Sequence, residues 1–403
     1  MALVNEVLDR ASLTIAMRQL LGEGRTLAVK REQSAFDNAA EGVTDSLVLF
    51  GAGNLGRKTL TGLRTIGIEP LAFTDSNPQI WHSLVEGLKV LPPVEATGLY
   101  GTTSTFVITI WAGEGYDRMG TRERQLRDLG CRRVVPFTLL FWKFPEVFLP
   151  HYTVDLPHKV HDQADDVLTA SEVWSDDASR FEYLAQLRWR LLSDFDGLPN
   201  PTRDTTYFPR DLFQLTEHEV FIDCGAYDGD TIRSFLKQPN GPSGRICAFE
   251  ADPGNFKRLE RTLAVLPQHG AIAIYNQAVG ASNGSVSFCS SGNSSSYVSP
   301  LSGDIRVECV ALDKALGDLE PTYVKMDIEG AELDALNGAS QLIARCSPVL
   351  AICSYHRQDH LWKIPLLIHS FYPDYRFYLR PHFSEGWDLV CYAVPPCRLR
   401  SVA

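Results

Sequence analysis

A short stretch of the chain combines acidic residues and glycines at a spacing that suits a small-molecule site. Asp223 ends an apolar run, Gly225 follows it at once, and Glu250 ends a second apolar run. Glycines between a strand and a helix let the backbone approach a ligand, and the N–H groups of the helix then point towards it. The carboxylates limit the choice of ligand, because they would repel a pyrophosphate and attract a cation.

These carboxylates favour a cofactor with a positive charge and a ribose diol. Asp223 and Asp228 suit a cationic amino-acid end, and Glu250 can accept hydrogen bonds from both ribose hydroxyls. S-adenosylmethionine has both features. The sequence therefore predicts an S-adenosylmethionine site within residues 219–252.

A second group of ionisable residues follows two later apolar runs. Asp327 and Glu329 come after residues 323–326, and His356 comes after residues 349–354. Methyl transfer to a hydroxyl requires alignment of the reacting atoms and removal of a proton. We predict His356 as the base, since an imidazole can be neutral near pH 7, with Asp327 and Glu329 beside it.

Two alternatives to this catalytic interpretation stay open. The same three side chains could hold a divalent metal such as Mg²⁺, which would lower the pKa of the substrate hydroxyl. A single histidine at the edge of a sheet is also often structural. The pattern by itself does not separate these alternatives.

A further glycine motif lies near the N-terminus. Gly51, Gly53 and Gly56 follow an apolar run, and Asp75 ends the next one about twenty residues later. This spacing predicts a site for a nucleotide or sugar nucleotide, although a tight turn alone also requires glycine. The surrounding region has no evident pair of nucleophile and base. An oxidoreductase interpretation therefore has a possible cofactor-binding turn but no identified catalytic residues.

Strand and helix patterns alternate along both halves of the chain. This alternation predicts an α/β protein with two Rossmann-like doubly wound sheets. We expect an N-terminal Rossmann-like module over residues 1–145, a helical connector over 146–203 and a catalytic domain over 204–403. Within the connector, Ala164–Phe195 has the apolar stripe of one helix, and the last strand of the chain, Trp387–Val394, should be antiparallel.

Five motifs in the second half occur together in a characteristic order: Asp223–Thr231, Phe249–Pro253, Asn276–Gly280, Lys325–Glu332 and Ser354–His356. Together they resemble the FkbM-type S-adenosylmethionine-dependent methyltransferase family, over roughly residues 204–396. Residues 49–92 resemble the small Rossmann-like modules of sugar-modifying and polysaccharide-biosynthesis proteins.

The resemblance implies a seven-stranded methyltransferase fold and an O-methyltransferase. Its acceptor would be a sugar hydroxyl on a glycan, a nucleotide sugar or a glycosylated metabolite. The implied cofactor-binding residues are Asp223, Gly225, Tyr227, Asp228, Thr231, Glu250, Asp252, Asn276, Ala278 and Asp327, with Asn276 and Ala278 beside the adenine. The competing hypotheses are an NAD-dependent oxidoreductase centred on Gly51 and Asp75, and a non-catalytic scaffold that binds sugar nucleotides.

Composition limits the partners and the compartment. The net charge of -11 argues against nucleic acid or an anionic membrane surface as a partner. Nine cysteines without a C-x-x-C pair, and no apolar stretch long enough to span a bilayer, predict a reduced, cytoplasmic protein. An amphipathic helix over Val4–Leu21 could pack on its own domain or on a second copy in a homodimer. The serine-rich Ser290–Ser302 is predicted as a substrate lid.

Overall fold

The computed structural model describes residues 10–111, 118–239, 244–266, 271–289, 297–298 and 305–400. The chain divides into two compact units. The first unit comprises residues 1–165, 181–200 and 383–387, and the second comprises 166–180, 201–382 and 388–403. The predicted connector is therefore divided between the two units. Most of the predicted serine-rich lid, and residues 4–9 of the predicted N-terminal helix, lie outside the described residues.

The first unit contains a mainly parallel sheet. Its strands are β1 (Leu47–Phe50), β2 (Ala72–Thr74), β3 (Leu84–Val85), β4 (Leu88–Leu91), β5 (Thr105–Ile108) and β6 (Arg133–Pro136). Over the described residues their order is β3-β4-β2-β1-β5-β6, and all pairs are parallel except β3 with β4. Every residue of β1 and β5 is buried, as expected for strands that are covered on both faces.

Helices supply that cover in the first unit. They are α1 (Arg10–Leu21), α2 (Gly24–Ala39), α3 (Asn54–Thr65), α4 (Pro93–Tyr100), α5 (Met119–Asp128), α6 (Phe137–Lys143), α7 (Pro145–Phe148) and α8 (His158–His161). The core is rich in phenylalanine, and Phe36, Phe50, Phe73, Phe106 and Phe137 are among its fully buried side chains.

Two further helices lie in the predicted connector, where the sequence pattern suggested one. They are α9 (Ala164–Ser171) and α10 (Asp177–Leu192), so the predicted single helix is wrong. Between them the backbone N–H of Ser175 donates to the carbonyl of Phe377 at 2.8 Å, which takes this segment out of helical geometry. Asp176 then accepts from the N–H of Ser179 at 2.9 Å and begins the next helix.

The second unit is built around a larger sheet. Its strands are β7 (Val220–Cys224), β8 (Arg245–Phe249), β9 (Ala271–Tyr275), β10 (Ala278–Val279), β11 (Gly284–Cys289), β12 (Tyr297–Val298), β13 (Ile305–Val310), β14 (Tyr323–Met326), β15 (Val349–Cys353), β16 (Arg376–Pro381) and β17 (Leu389–Val394). Its helices are α11 (Asp230–Leu236), α12 (Pro253–Val265), α13 (Leu312–Ala315), α14 (Glu332–Asn337), α15 (Ser340–Cys346) and α16 (His360–Phe371).

Seven of these strands form the main sheet in the order β16-β17-β15-β14-β7-β8-β9 among the described residues. Strand β17 is antiparallel to both neighbours, as predicted for the last strand. A separate sheet, which the sequence did not predict, has the order β10-β13-β11-β12. The predicted fold class, an α/β protein with two parallel-rich sheets, is confirmed. Strand β7 lies between β14 and β8, so the chain order reverses there, and ligands bind in the crevice at such points.

Candidate active site

The turn after β7 requires glycine for two reasons. Gly225 has φ of 81°, a conformation that L side chains rarely adopt. A Cβ atom at this position would lie 1.9 Å from the carbonyl oxygen of Asp327. The turn at the end of β7 therefore packs directly against the residue that follows β14, and the two sequence motifs meet at one edge of the sheet.

Glu250 lies at the same edge, just after β8. Its Oε2 accepts from the N–H of Tyr227 and its Oε1 from the N–H of Asp252, both at 2.8 Å. Burial raises the pKa of Glu250 to about 7, and the two backbone N–H groups oppose this rise. Each carboxylate oxygen has a second lone pair, so the held carboxylate can still accept two hydroxyl hydrogen bonds.

Asp223 forms a buried ion pair that the sequence did not predict. Its carboxylate is fully buried, and Oδ1 lies 3.0 Å from Nζ of Lys325. The Lys325 ammonium also donates to the carbonyl of Gly225 at 2.7 Å. Burial raises the pKa of Asp223 to about 6, and Lys325 opposes the rise, so both groups are charged at neutral pH. A single lysine inside the apolar run of β14 was the signal that could have revealed this pair.

Two of the predicted cofactor residues have structural partners instead. Asp252 is the N-cap of α12, and its Oδ1 accepts from the N–H groups of Gly254 and Asn255 at 2.7 and 3.0 Å. Asp228 forms an ion pair with Arg233 at 3.0 Å. These contacts give both residues a role in shaping the two turns, and their predicted roles as cofactor ligands stay predictions.

The remaining predicted cofactor residues lie along the same edge. Asn276 follows β9, and its Nδ2 donates to the carbonyls of Glu250 and Ala251 at 2.8 and 3.2 Å, which fastens the turn after β8. Ala278 is buried at the start of β10, and Thr231 is buried in the first turn of α11.

The predicted catalytic residues are brought together after β14 and β15. Nε2 of His356 lies 3.3 Å from Oδ1 of Asp327 and 3.9 Å from Oε2 of Glu329. Its Nδ1 lies 2.7 Å from Oε1 of Glu332. We call His356, Asp327, Glu329 and Glu332 the acidic cluster. It places one buried imidazole among three carboxylates.

The charge of His356 differs from the sequence expectation. Burial alone would lower its pKa, but Glu332, Glu329 and the hydrogen bond to Asp327 raise the pKa well above the usual value. The carboxylates therefore favour the imidazolium form of His356, which argues against its acting as a neutral base, and its catalytic role stays a prediction. The sequence pattern did not show this, because protonation depends on carboxylates from other elements, chiefly Glu332.

The carboxylates of the cluster differ in basicity. Burial would raise the pKa of Asp327, but the hydrogen bond from His356, the charge of Lys325 and the hydroxyl of Tyr207, 2.8 Å away, lower it below the usual value. Burial raises the pKa of Glu329 to about 8, and His356 opposes this rise. Glu329 is thus the more basic carboxylate, and it is held at φ of 54°.

The metal alternative gains no support from this geometry. Within the described ranges, no group of three or more His, Cys, Asp or Glu side chains is placed to hold a metal ion. Asp327, Glu329 and His356 form a network of ion pairs, and the metal site stays a prediction.

Sequence reasoning missed two acidic members of this region. Glu332, in the first turn of α14, is fully buried, and its Oε1 also accepts from the N–H of Ile328 at 3.0 Å. Burial, followed by the charge of Asp327, raises the pKa of Asp388 to about 6, and a hydrogen bond with Tyr355 opposes the rise. No local pattern marks Asp388, because it joins the cluster only through the position of β17.

The glycine motif of the first unit is explained by packing. Gly51 has φ of 114°, and a Cβ at Gly56 would lie 1.9 Å from the carbonyl oxygen of Gly51. Gly53 is the N-cap residue of α3. Asp75 accepts from the N–H of Ala52 at 2.9 Å, so a carboxylate already occupies a backbone N–H that a phosphate would use. These contacts favour the tight-turn alternative over the predicted dinucleotide site.

Helices that could cross a bilayer were also sought. In the part of the chain that the structure describes, none is both long enough and apolar enough to do so.

Comparison with known proteins finds a family model that matches part of the second half of the chain. Residues 223–382 match the family model of the Methyltransferase FkbM domain, which confirms the resemblance for this part. A comparison with curated proteins finds no match. The Rossmann-like resemblance of residues 49–92 has no such support and stays a prediction.

One solved structure with a high TM-score has the same fold. Methyltransferase FkbM from Methylobacillus flagellatus KT is 23% identical, with a TM-score of 0.76 over 96% of this chain and 100% of its own. At that identity the likeness shows the fold alone. A precorrin-6y C5,15-methyltransferase from Geobacter metallireducens GS-15 is 15% identical, with a TM-score of 0.28 over 45% of this chain and 83% of its own. Fibrillarin from Aeropyrum pernix, with natively bound S-adenosyl-L-methionine, is 14% identical, with a TM-score of 0.27 over 44% of this chain and 67% of its own. The last two TM-scores are too low to support an argument.

Proposed function

We propose that this protein, whose residues 223–382 match the family model of the Methyltransferase FkbM domain, is an S-adenosylmethionine-dependent O-methyltransferase that acts on a sugar hydroxyl. The acceptor would be a glycan, a nucleotide sugar or a glycosylated metabolite. The observation that carries the proposal is the position of Glu250 beside the Gly225 turn, at the point where strand order reverses.

The side chains at this edge fit S-adenosylmethionine. Glu250 would accept from the ribose hydroxyls through its remaining lone pairs. Asp223 is a buried carboxylate whose Oδ1 pairs with Lys325, while its Oδ2 accepts no hydrogen bond among the described residues and could accept from the cationic amino-acid end near the Gly225 turn. Asn276 and Ala278 would lie beside the adenine. When bound, the cofactor supplies the methyl group.

The acidic cluster would prepare the acceptor hydroxyl. Glu329 is the most basic carboxylate there, so it would take the hydroxyl proton as the oxygen bonds to the methyl carbon and the bond from carbon to sulfur breaks. The imidazolium of His356 would hold Asp327 and Glu329 in place and balance their charge. Glu332 would keep His356 protonated and oriented.

The test is calorimetric titration of S-adenosylmethionine and, separately, NAD into the wild type and two variants. Glu250→Ala should weaken S-adenosylmethionine binding by about 10- to 100-fold, since a hydrogen bond to a charged group contributes about 1.5–3 kcal/mol. Glu260→Ala is the matched control, because Glu260 is exposed on α12. Binding of NAD but not of S-adenosylmethionine, or unchanged affinity in Glu250→Ala, would overturn the proposal.

The acceptor requires its own experiment. Labelled methyl from the cofactor should appear on a sugar hydroxyl in a panel of glycans, nucleotide sugars and glycosides, and the product should be stable to mild base, unlike a methyl ester. Label on nitrogen would retain the methyltransferase and reject O-methylation. The cytoplasmic location and the homodimer stay predictions.

A further inference from the structure

A partly exposed aromatic surface lies at the carboxyl edge of the sheet of the first unit. Strand β1 has β2 on one side and β5 on the other, so strand order reverses between β1 and β5. The Gly51 turn follows β1, and Trp111 follows β5. Ile110 packs so close to Gly51 that a Cβ there would lie 2.4 Å from its side chain. Crevices at such points are the usual ligand sites of open α/β sheets.

Three further aromatic residues of the first unit extend this surface. The ring of Trp387 lies 4.7 Å from that of Trp111 and 4.8 Å from that of Tyr152, between ring centroids. The ring of His151 lies 5.2 Å from that of Tyr152. All four side chains are only partly buried, although Trp111 also packs against the core through Phe137 and Trp189. Ligand pockets combine such apolar rings with a few placed polar groups.

One cation is fixed beside these rings. Nζ of Lys58, on α3, lies 2.8 Å from Nδ1 of His151. Burial, and then the charge of Lys58, lowers the pKa of His151 to about 3, so the imidazole is neutral and Nδ1 accepts the hydrogen bond. Lys58 is exposed, and among the described residues it forms no ion pair with a carboxylate. An ammonium oriented by a neutral partner retains its charge for an anion.

We propose that the first unit binds a phosphorylated ring compound, a sugar phosphate or a nucleoside phosphate, with its ring on Trp111 and Trp387 and its phosphate on Lys58. The glycine turn is not the phosphate site, because Asp75 occupies the N–H of Ala52. The ligand therefore differs from a dinucleotide, whose pyrophosphate would need that turn. This binding is independent of the proposed methyl transfer.

The test uses the full chain, with calorimetry and tryptophan fluorescence. The probes are glucose 1-phosphate, uridine monophosphate, glucose, uridine and inorganic phosphate. At least one phosphorylated ring compound should bind saturably, and at least tenfold more tightly than its unphosphorylated form and than inorganic phosphate. Lys58→Met and Trp387→Ala should each weaken that binding at least tenfold. Lys89→Met, which removes an exposed cation from β4 of the same sheet, should leave it unchanged.

Further variants separate this site from the other unit and from misfolding. Lys58→Arg keeps the charge and should retain most of the affinity, and thermal unfolding should be unchanged in both Lys58 variants. Glu250→Ala should bind the probe normally, because Glu250 lies in the second unit. Stronger binding of glucose 1-phosphate would assign a sugar phosphate, and stronger binding of uridine monophosphate a nucleoside phosphate. Failure of both to bind, equal binding by Lys58→Met and Lys89→Met, or loss in Glu250→Ala would overturn the proposal.

Discussion

At the scale of single residues, Glu332 sets the charge of the acidic cluster. Its two oxygens face two histidines, with Oε1 2.7 Å from Nδ1 of His356 and Oε2 3.2 Å from Nδ1 of His360. A buried carboxylate at this distance favours the protonated imidazole. His356 then lowers the pKa of Asp327 and opposes the rise in the pKa of Glu329, so Glu332 influences both residues that follow β14.

Glu329 should make stability depend on pH. Its pKa of about 8 lies above the unfolded value of 4.5, so the folded state binds more protons between these values. Stability is therefore highest at low pH for this group and is lost as pH rises through about 8. Glu329→Gln mimics the protonated form and should be more stable than wild type at pH 9 by about 1–3 kcal/mol, at 1.4 kcal/mol per pKa unit with a reduction for residual solvent.

Thermal unfolding from pH 5 to pH 9 measures this difference. The wild type and Glu329→Gln should have similar melting temperatures near pH 5, diverge progressively as pH rises from there, and keep a constant difference above about pH 8. The exposed Glu260→Gln should follow the wild type throughout. Parallel curves for all three proteins would show that Glu329 has an ordinary pKa.

The rate of methyl transfer should depend on the same carboxylate. If Glu329 takes the proton, kcat/KM rises with pH as Glu329 ionises. His356→Gln removes a charge that lowers the pKa of Glu329, so the rising limb should move to higher pH. Asp327→Asn removes a charge that raises this pKa, and the limb should move to lower pH. A merely structural role would reduce the rate without these opposite shifts, and pH profiles of kcat/KM distinguish the two cases.

At the scale of elements, the turn after β7 joins the two motifs of the site. Gly225→Ala places a Cβ on a residue whose backbone has positive φ, and this Cβ would press against the carbonyl of Asp327. Positive φ and overpacking each cost about 1–3 kcal/mol, so the variant should lose about 2–6 kcal/mol of unfolding free energy and bind the cofactor poorly. Gly284→Ala is the control, because a Cβ there meets nothing within 4 Å. Denaturant unfolding measures both, and equal stability of the two variants would contradict this packing argument.

At the scale of the whole molecule, the cofactor residues belong to one unit. Glu250, Asp223 and Asn276 all lie in the second unit. S-adenosylmethionine should therefore slow hydrogen exchange around β7, β8 and the acidic cluster, because binding stabilises the state that holds the ligand. The sheet of the first unit should exchange at its original rate. Mass spectrometry of exchanged peptides gives this result directly, and uniform protection of both sheets would contradict it.

The local parts of this protein follow from sequence. The apolar runs that form β1, β7, β8 and β14 are short and bounded by glycine or acidic residues. Their hydrophobic pattern and the turn residues beside them therefore predict these strands. The glycine at 225 is required by its own backbone angle and a close contact. The division of one predicted helix into α9 and α10 was not visible, because backbone pairing with β16, about 200 residues away, interrupts the pattern.

The chemistry of the site was only partly predictable. Sequence order placed Asp327, Glu329 and His356 at one edge, because carboxyl ends of parallel strands meet there. The charge of His356, the ion pair of Asp223 with Lys325, and the cap role of Asp252 were decided by tertiary structure. The physical reason is that a side chain's protonation and hydrogen bonds depend on which groups surround it, and those groups come from separate elements whose distances no local pattern encodes.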